Sequence, residues 1–481
     1  MMTTLSKISV PKDEPFNCYE VAHVWNPSCK ESAIDIFFDT VISSSKVYAP
    51  FYLISILTRR KFLTLDVFLK YVRDVCTSSL FLSFNTSGFL SLFCLMRQLL
   101  GKFDRKASYL AAAVASYIAI KFERKNRRQA LALYVTNVAS ETLFWMLQSR
   151  GLVRKIPYGD ILLMSISSAV LLLLYRRQKL CGVVPAVLNI MLDKNNDQKK
   201  AEVNAASTNN SNILLSKMYR LASYIHKLVR TNSQTKSLYE FIIKLISKPK
   251  HKLCCHQYGC FYYSIKAAVK VFSIGYMGRL SFSFFMNVMK KCFKTSHQLT
   301  SGLKHRSYIK FGSFLAAFVL LNTLCDCLWR HVFDCDSSKQ ALASGFIAGL
   351  SISIYRSPSI SVYLFWKAVE ALWLQLQEKY PNLNFPQGIE LLYSCSTALL
   401  ITAGTLEAHN VRPEYITFLK QITNNRFGTI NRILLDEFST TQKASTYFPY
   451  FFMVSDLEKT SSGYKAILAK LKNSGLMKYL V

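Results

Sequence analysis

Residues 75–96, VCTSSLFLSFNTSGFLSLFCLM, run without a single charge and are closed by Arg97. As a helix at ~1.5 Å per residue, this stretch covers the ~30 Å hydrocarbon core of a bilayer. In lipid every backbone amide must be satisfied internally, so a chain holding such a stretch is restricted to helices or a closed barrel. The remaining apolar runs fit helices. They lie at 107–120, 130–147, 161–175, 311–329, 341–355, 360–376 and 388–403, with weaker ones at 48–57 and 258–277. Eight to ten helices are expected to enter or cross the membrane. The fold class this predicts is all-α, a multi-pass helical membrane protein.

Composition agrees. Of 481 residues 51% are hydrophobic and only 18% charged, below the ~25% of soluble domains. Mean hydropathy is +0.18. Yet 60 Lys and Arg oppose 28 Asp and Glu, a formal charge of +32. Apolar bulk with a basic remainder describes membrane helices joined by basic loops. It excludes a disordered chain and disfavours a nucleic-acid partner, since the basic residues flank apolar helices and no DNA or RNA module is present. Thirteen cysteines in this length are too dilute for a secreted disulfide scaffold. The first residues hold no secretory h-region and no Arg-rich presequence, and the last, KYLV, are not a peroxisomal tripeptide.

The two halves repeat each other. SGFLSLFCLMRQLL from Ser87 aligns with GSFLAAFVLLNTLC from Gly312, pairing Phe89, Leu90, Phe93, Leu95 and Leu99 with Phe314, Leu315, Phe318, Leu320 and Leu324. A second block pairs Arg127, Tyr134, Ala139, Glu141 and Leu143 with Arg356, Tyr363, Ala368, Glu370 and Leu372. The expected organisation is an N-terminal tail (1–15), a first membrane repeat (16–178), a basic linker (179–251), a second repeat (252–435) and a peripheral C-terminal tail (436–481).

From residue 176 to 252 the chain holds 15 basic and four acidic residues, about a third of the net charge. Within it Leu214, Met218, Leu221, Ile225 and Leu228 recur at helical spacing, with Lys217, Arg220, Lys227 and Arg230 between them. That pattern predicts a basic amphipathic helix, suited to an anionic leaflet or to packing on the protein itself.

Glu141 and Glu370, matched by the repeat, are ionisable residues inside apolar helices, where charge is costly and marks a polar path or a helix-orienting contact. Lys367, one turn from Glu370, offers an ion pair, and Arg127 and Arg356 complete the intramembrane polar candidates. Each half also opens with Cys and His: Cys18, His23 and Cys29, then Cys254, His256 and Cys260. Zinc takes such ligands, although the spacings fit no paired C-x-x-C pattern. A metal shared between the halves, disulfides and plain packing all remain open. Cys325, Cys327 and Cys335 read as buried helix cysteines. The small residues between Ala341 and Gly349 read as close helix packing. No phosphate loop, dinucleotide fingerprint, nucleophile elbow or H-E-x-x-H occurs, so an enzyme and a cofactor are not expected.

NCYEVAHVWNPSC (from Asn17), KVYAPFYL (from Lys46), IAIKFERKNRRQALALYVTNVASETLF (from Ile118), SGFIAGLSISIYRSPSISVYLFWKAVEALW (from Ser344) and VRPEYITFL (from Val411) resemble the transmembrane protein 135 family, also called peroxisomal membrane protein 52. The resemblance covers about 16–435. It implies a multi-pass protein of mitochondrial and peroxisomal membranes, in contact with the lipid bilayer. The implied roles are in the balance of mitochondrial fission and fusion with a dynamin-related fission GTPase as partner, in peroxisome organisation, and in lipid metabolism and fat storage. The helical blocks are also distantly similar to the mitochondrial inner-membrane protein-translocase channel family, with Gly345–Gly349 and Arg356 nearest its signature. A transporter or channel for a lipid, metabolite or protein at the repeat interface is the alternative.

Overall fold

The structure, a computed structural model, describes residues 16–58, 64–180, 183–192, 251–254, 256, 259–292, 305–383, 385–438 and 451–473. Among them regular structure is helical, with no strand. The basic amphipathic stretch with Lys217, Arg220, Lys227 and Arg230 lies outside the described residues, as does the N-terminal tail.

Two compact units emerge. The first comprises Met1–Ile156 with Asn384–Val481 and the second Pro157–Leu383. Their bounds differ from those of the sequence repeats. In the first unit a short α1 (Cys18–Val21) precedes α2 (Cys29–Thr58), α3 (Leu65–Leu100), α4 (Arg105–Ile120) and α5 (Lys125–Ser149). The second holds α6 (Gly159–Arg176), α7 (Val183–Leu192), α8 (Cys260–Cys292), α9 (His305–Phe333), α10 (Ser338–Gly349) and α11 (Pro358–Lys379). The chain then returns to the first unit with α12 (Gly388–Leu406), α13 (Pro413–Ile422) and α14 (Ser462–Asn473).

Packing order is the same in both units. In the first, α2 packs on α3, α3 on α4, and α12 on both α4 and α5; in the second, α8 packs on α9, α9 on α10, and α6 on both α10 and α11. In each unit, four consecutive helices thus pack with one from elsewhere in the chain.

Local sequence explains the elements. α4 begins where the Asp104 carboxylate accepts from the Ala107 amide at 3.1 Å, satisfying one orphan donor of the first turn. Its buried residues, Ser108, Ala111, Ala112, Ala115, Ser116, Ala119 and, at its end, Ile120, are small but for the last, and Leu110, Val114 and Ile118 stay exposed on the other side. A face of small residues toward protein and large apolar ones outward is what a lipid-facing helix requires.

Among the described residues five segments are long and apolar enough to cross a membrane: Leu65–Leu100, Lys125–Ser149, Gly159–Arg176, Arg306–Phe333 and Pro381–Leu406. The eight to ten expected include others that form as helices but fall short of this. α4 and α10 have 16 and 12 residues, about 24 and 18 Å, and α2, α8 and α11 carry charges along their length.

Of the expected C-terminal tail, residues 451–473 are not peripheral. Phe451, Tyr464, Ile467, Leu468 and Leu471 are buried in one core with Phe16, Tyr19 and Val21. The Tyr, Ile, Leu, Leu spacing in α14 gives an apolar stripe that a reading of the stretch as a Lys-containing tail overlooked.

Candidate functional site

The paired glutamates close on partners within their own units. Glu141, on α5, accepts from Arg412 Nε at 2.7 Å and also from its Nη2. Glu370, on α11, accepts from Lys367 Nζ at 2.8 Å, the ion pair expected one turn away. Arg127 opens α5, where its guanidinium meets Tyr52, Ser78 Oγ at 2.6 Å and Glu123 at 3.3 Å. Glu123 is fully buried and also accepts from Ser78 Oγ at 2.9 Å. Arg356 sits after α10 and its 3-10 extension Leu350–Tyr355. It forks onto Asp160 at the start of α6, at 2.6 and 3.1 Å. Both arginines therefore stand at helix ends.

In the second unit a cavity of about 360 Å³ is lined by Arg176, Asp326 and Arg330 together with Asn322, Thr323 and His256. Asp326 and Arg176 lie on spanning segments, α9 and α6. Asp326 is the one acidic residue in the apolar run 311–329.

The cysteines and histidines gather most closely. Instead of one shared set they form two, each with a fourth member: Cys94, which the sequence did not single out, and Cys327, expected as a buried helix cysteine. Ligand atoms of Cys18, His23, Cys29 and Cys94 all lie within 4.8 Å of one another, and so do those of Cys254, His256, Cys260 and Cys327. Cys327 is therefore more than a packed helix cysteine, whereas Cys335 is exposed. Cys76 and Cys395 are also exposed and belong to neither set.

The two sets are built alike. Cys29 and Cys260 are the first residues of α2 and α8, where the helix dipole favours a thiolate. Cys94 and Cys327 lie within the last two turns of α3 and α9. Each is followed three residues later by arginine, Arg97 and Arg330. In both sets three members are buried and the helix-opening cysteine is half-buried. Cys18 is fixed by α1, whose capping box joins Asn17 to Glu20, and Glu20 also accepts from Ser461 Oγ at 3.1 Å.

Distances within the second set are 3.8 Å for Cys254 Sγ to Cys260 Sγ and 3.5 Å for Cys327 Sγ to His256 Nε2. His331 Nε2 stands 3.8 Å from Cys260 on the exposed side, and Arg330 Nη1 3.9 Å from Cys254. His256 stacks on Tyr263 with ring centroids 4.7 Å apart. In the first set His23 is fully buried; its Nδ1 meets the Asn26 carbonyl at 2.8 Å, and its Nε2 has no hydrogen-bond partner.

Charge is shared unevenly among these thiols. Hydrogen bonding with Cys29, with burial, pushes the Cys18 thiol up to about 12, against the lowering effect of Cys94 and Arg97. The side chains of Cys18 and Cys94, with the nearby His23 imidazole, hold the Cys29 thiol far below its ordinary value. Burial raises the Cys254 thiol, opposed by Arg330. Such an arrangement presents thiolate and imidazole together, the donor set of a soft or borderline cation.

No solved structure matches this chain. Residues 15–147 match the family model described as the N-terminal cysteine-rich region of Transmembrane protein 135, and the first Cys/His set lies entirely within that match.

Proposed function

Because residues 15–147 match the family model of the N-terminal cysteine-rich region of Transmembrane protein 135, we propose that this chain belongs to that family and acts as a non-enzymatic organelle membrane protein in mitochondrial and peroxisomal membranes. Its proposed roles are to set the balance of mitochondrial fission and fusion, with a dynamin-related fission GTPase as partner, and to support peroxisome organisation and lipid metabolism. The observation that carries this reading is the family match over 15–147. Spanning segments support the membrane setting, through exposed residues such as Leu80, Leu95 and Ile166 that suit lipid contact. The linker, with 15 basic and four acidic residues from 176 to 252, is the handle for an anionic leaflet. Deleting 200–250 in the full chain is expected to change mitochondrial shape while leaving membrane insertion intact. A normal network in cells carrying only the deleted form overturns it.

The cavity in the second unit supports a second reading, a transport pathway. Charged groups on spanning helices ordinarily face a bundle interior or a water-filled space, and Asp326 with Arg176 lines about 360 Å³. Flux of a lipid or metabolite through liposomes that is lost in Asp326→Asn favours transport; no flux across a panel of both classes rejects it.

A further inference from the structure

We propose that each unit holds one structural zinc ion, bound by Cys18, His23, Cys29 and Cys94 in the first and by Cys254, His256, Cys260 and Cys327 in the second. The inference is independent of the role in organelle dynamics.

Geometry comes first. With Zn–S of ~2.3 Å and Zn–N of ~2.0–2.1 Å, a tetrahedral ion sets its sulfurs about 3.8 Å apart and a sulfur and nitrogen about 3.6 Å apart. Cys254 and Cys260 stand at 3.8 Å, and Cys327 and His256 at 3.5 Å. All four ligand atoms of each set fall within 4.8 Å, so one ion reaches them all after small side-chain adjustments.

The histidine in the first set is prepared as a ligand. His23 Nδ1 donates to the Asn26 carbonyl, which fixes the tautomer and leaves the Nε2 lone pair free. That nitrogen is buried and has no hydrogen-bond partner, a state proteins avoid unless something else satisfies it. An ion supplies the missing contact. A disulfide would join two of the three thiols and leave the buried imbalance at the histidine.

Charge balance points the same way. Three thiolates and one neutral imidazole around Zn²⁺ carry a net charge of −1. Arg330 lies 3.9 Å from Cys254, and Arg97 acts electrostatically on Cys18. Each arginine stands one turn beyond the helix cysteine of its set, so each site has its own counter-charge. Oxygen donors are absent from both sets, which disfavours calcium and magnesium.

The ligand sets are full. Four protein ligands leave no open position for water or substrate, which marks a structural centre rather than a catalytic one. Each ion would fasten the segment before α2 or α8 to the end of the helix that follows it, α3 or α9.

The test is elemental analysis of the full chain, purified in detergent without added metal. About two zinc ions per chain are expected, about one in Cys94→Ser and in Cys327→Ser, and about two in the control Cys335→Ser. His331→Ala separates His331 from the ligands: zinc retained at about two supports the assigned set, and loss of one ion overturns it at the second site. Wild-type protein gives a readout free of variant folding. Its cluster thiols should resist alkylation until a chelator is added, whereas Cys335 reacts at once. Wild-type protein with negligible zinc, with iron or copper in its place, or with disulfides joining the cluster cysteines overturns the proposal.

Discussion

At the level of single residues, a buried carboxylate, Glu407, depends on its partners. It is 1% exposed, lies just beyond α12, and takes Arg150 Nη2 at 2.5 Å and Asn410 Nδ2 at 3.1 Å. Removing one partner of a buried pair strands the other charge. Arg150→Met is therefore expected to destabilise by about 3 kcal/mol, and Glu407→Leu in the same chain to recover part of it, read from melting in detergent. His409 shares this corner. Burial lowers its pKa below the ordinary value, Arg150 lowers it further, and Glu407 works against both. The unfolded chain therefore binds more protons than the folded one below pH ~6.5, and stability falls as pH drops through that range. His409→Gln should show a flatter decline in melting temperature between about pH 7 and 5 than the parent chain. At this scale sequence was informative about residue type but not about partner. Glu141 and Glu370 stood out as charges in apolar helices, whereas Arg412 lies 271 positions from Glu141 and no periodicity could pair them. The fourth cysteines were missed as members of the sets for a related reason. Aligning apolar positions paired Cys94 with Val319, eight residues from Cys327. A slip of eight is close to two helical turns, so the apolar match survives it while the cysteine and arginine matches do not.

Helix contacts depend on how closely backbones approach. A Cβ on Gly345 would stand 2.7 Å from Ala169 Cα, and one on Gly349 would collide with the Ser165 backbone and Ser168 Oγ. Ser168 Oγ donates to the Gly345 carbonyl at 2.8 Å, which only this approach allows. The small-residue run from Ala341 was legible as an interface; that its partner is α6 was not, because α6 precedes it by more than 150 residues. Gly349→Val is expected to abolish the monodisperse peak in detergent chromatography. Gly278→Ala, which meets nothing within 4 Å, should leave it unchanged.

Across the whole chain, hydropathy alone gave the helical membrane class, since apolar length is a local property. It undercounted the role of residues 451–473, whose stripe of Tyr464, Ile467, Leu468 and Leu471 is short and flanked by lysines. That segment completes the core holding α1, where Tyr19 Oη meets Ser455 Oγ at 2.9 Å and Asn431 Nδ2 donates to the Glu20 carbonyl at 2.7 Å. A chain ending at residue 450 is expected to insert but to aggregate on extraction, because Phe16, Tyr19 and Val21 lose their cover. Fluorescence-detected chromatography of a tagged truncation checks this.

The return of α12 to the first unit sets a timetable for biosynthesis. α4 and α5 are complete by residue 149, but the helix that packs on both begins at Gly388. At ~5–20 residues per second, the ribosome needs roughly 10–50 s to make the intervening chain. During that interval α4 and α5 are made but lack the helix that packs on both.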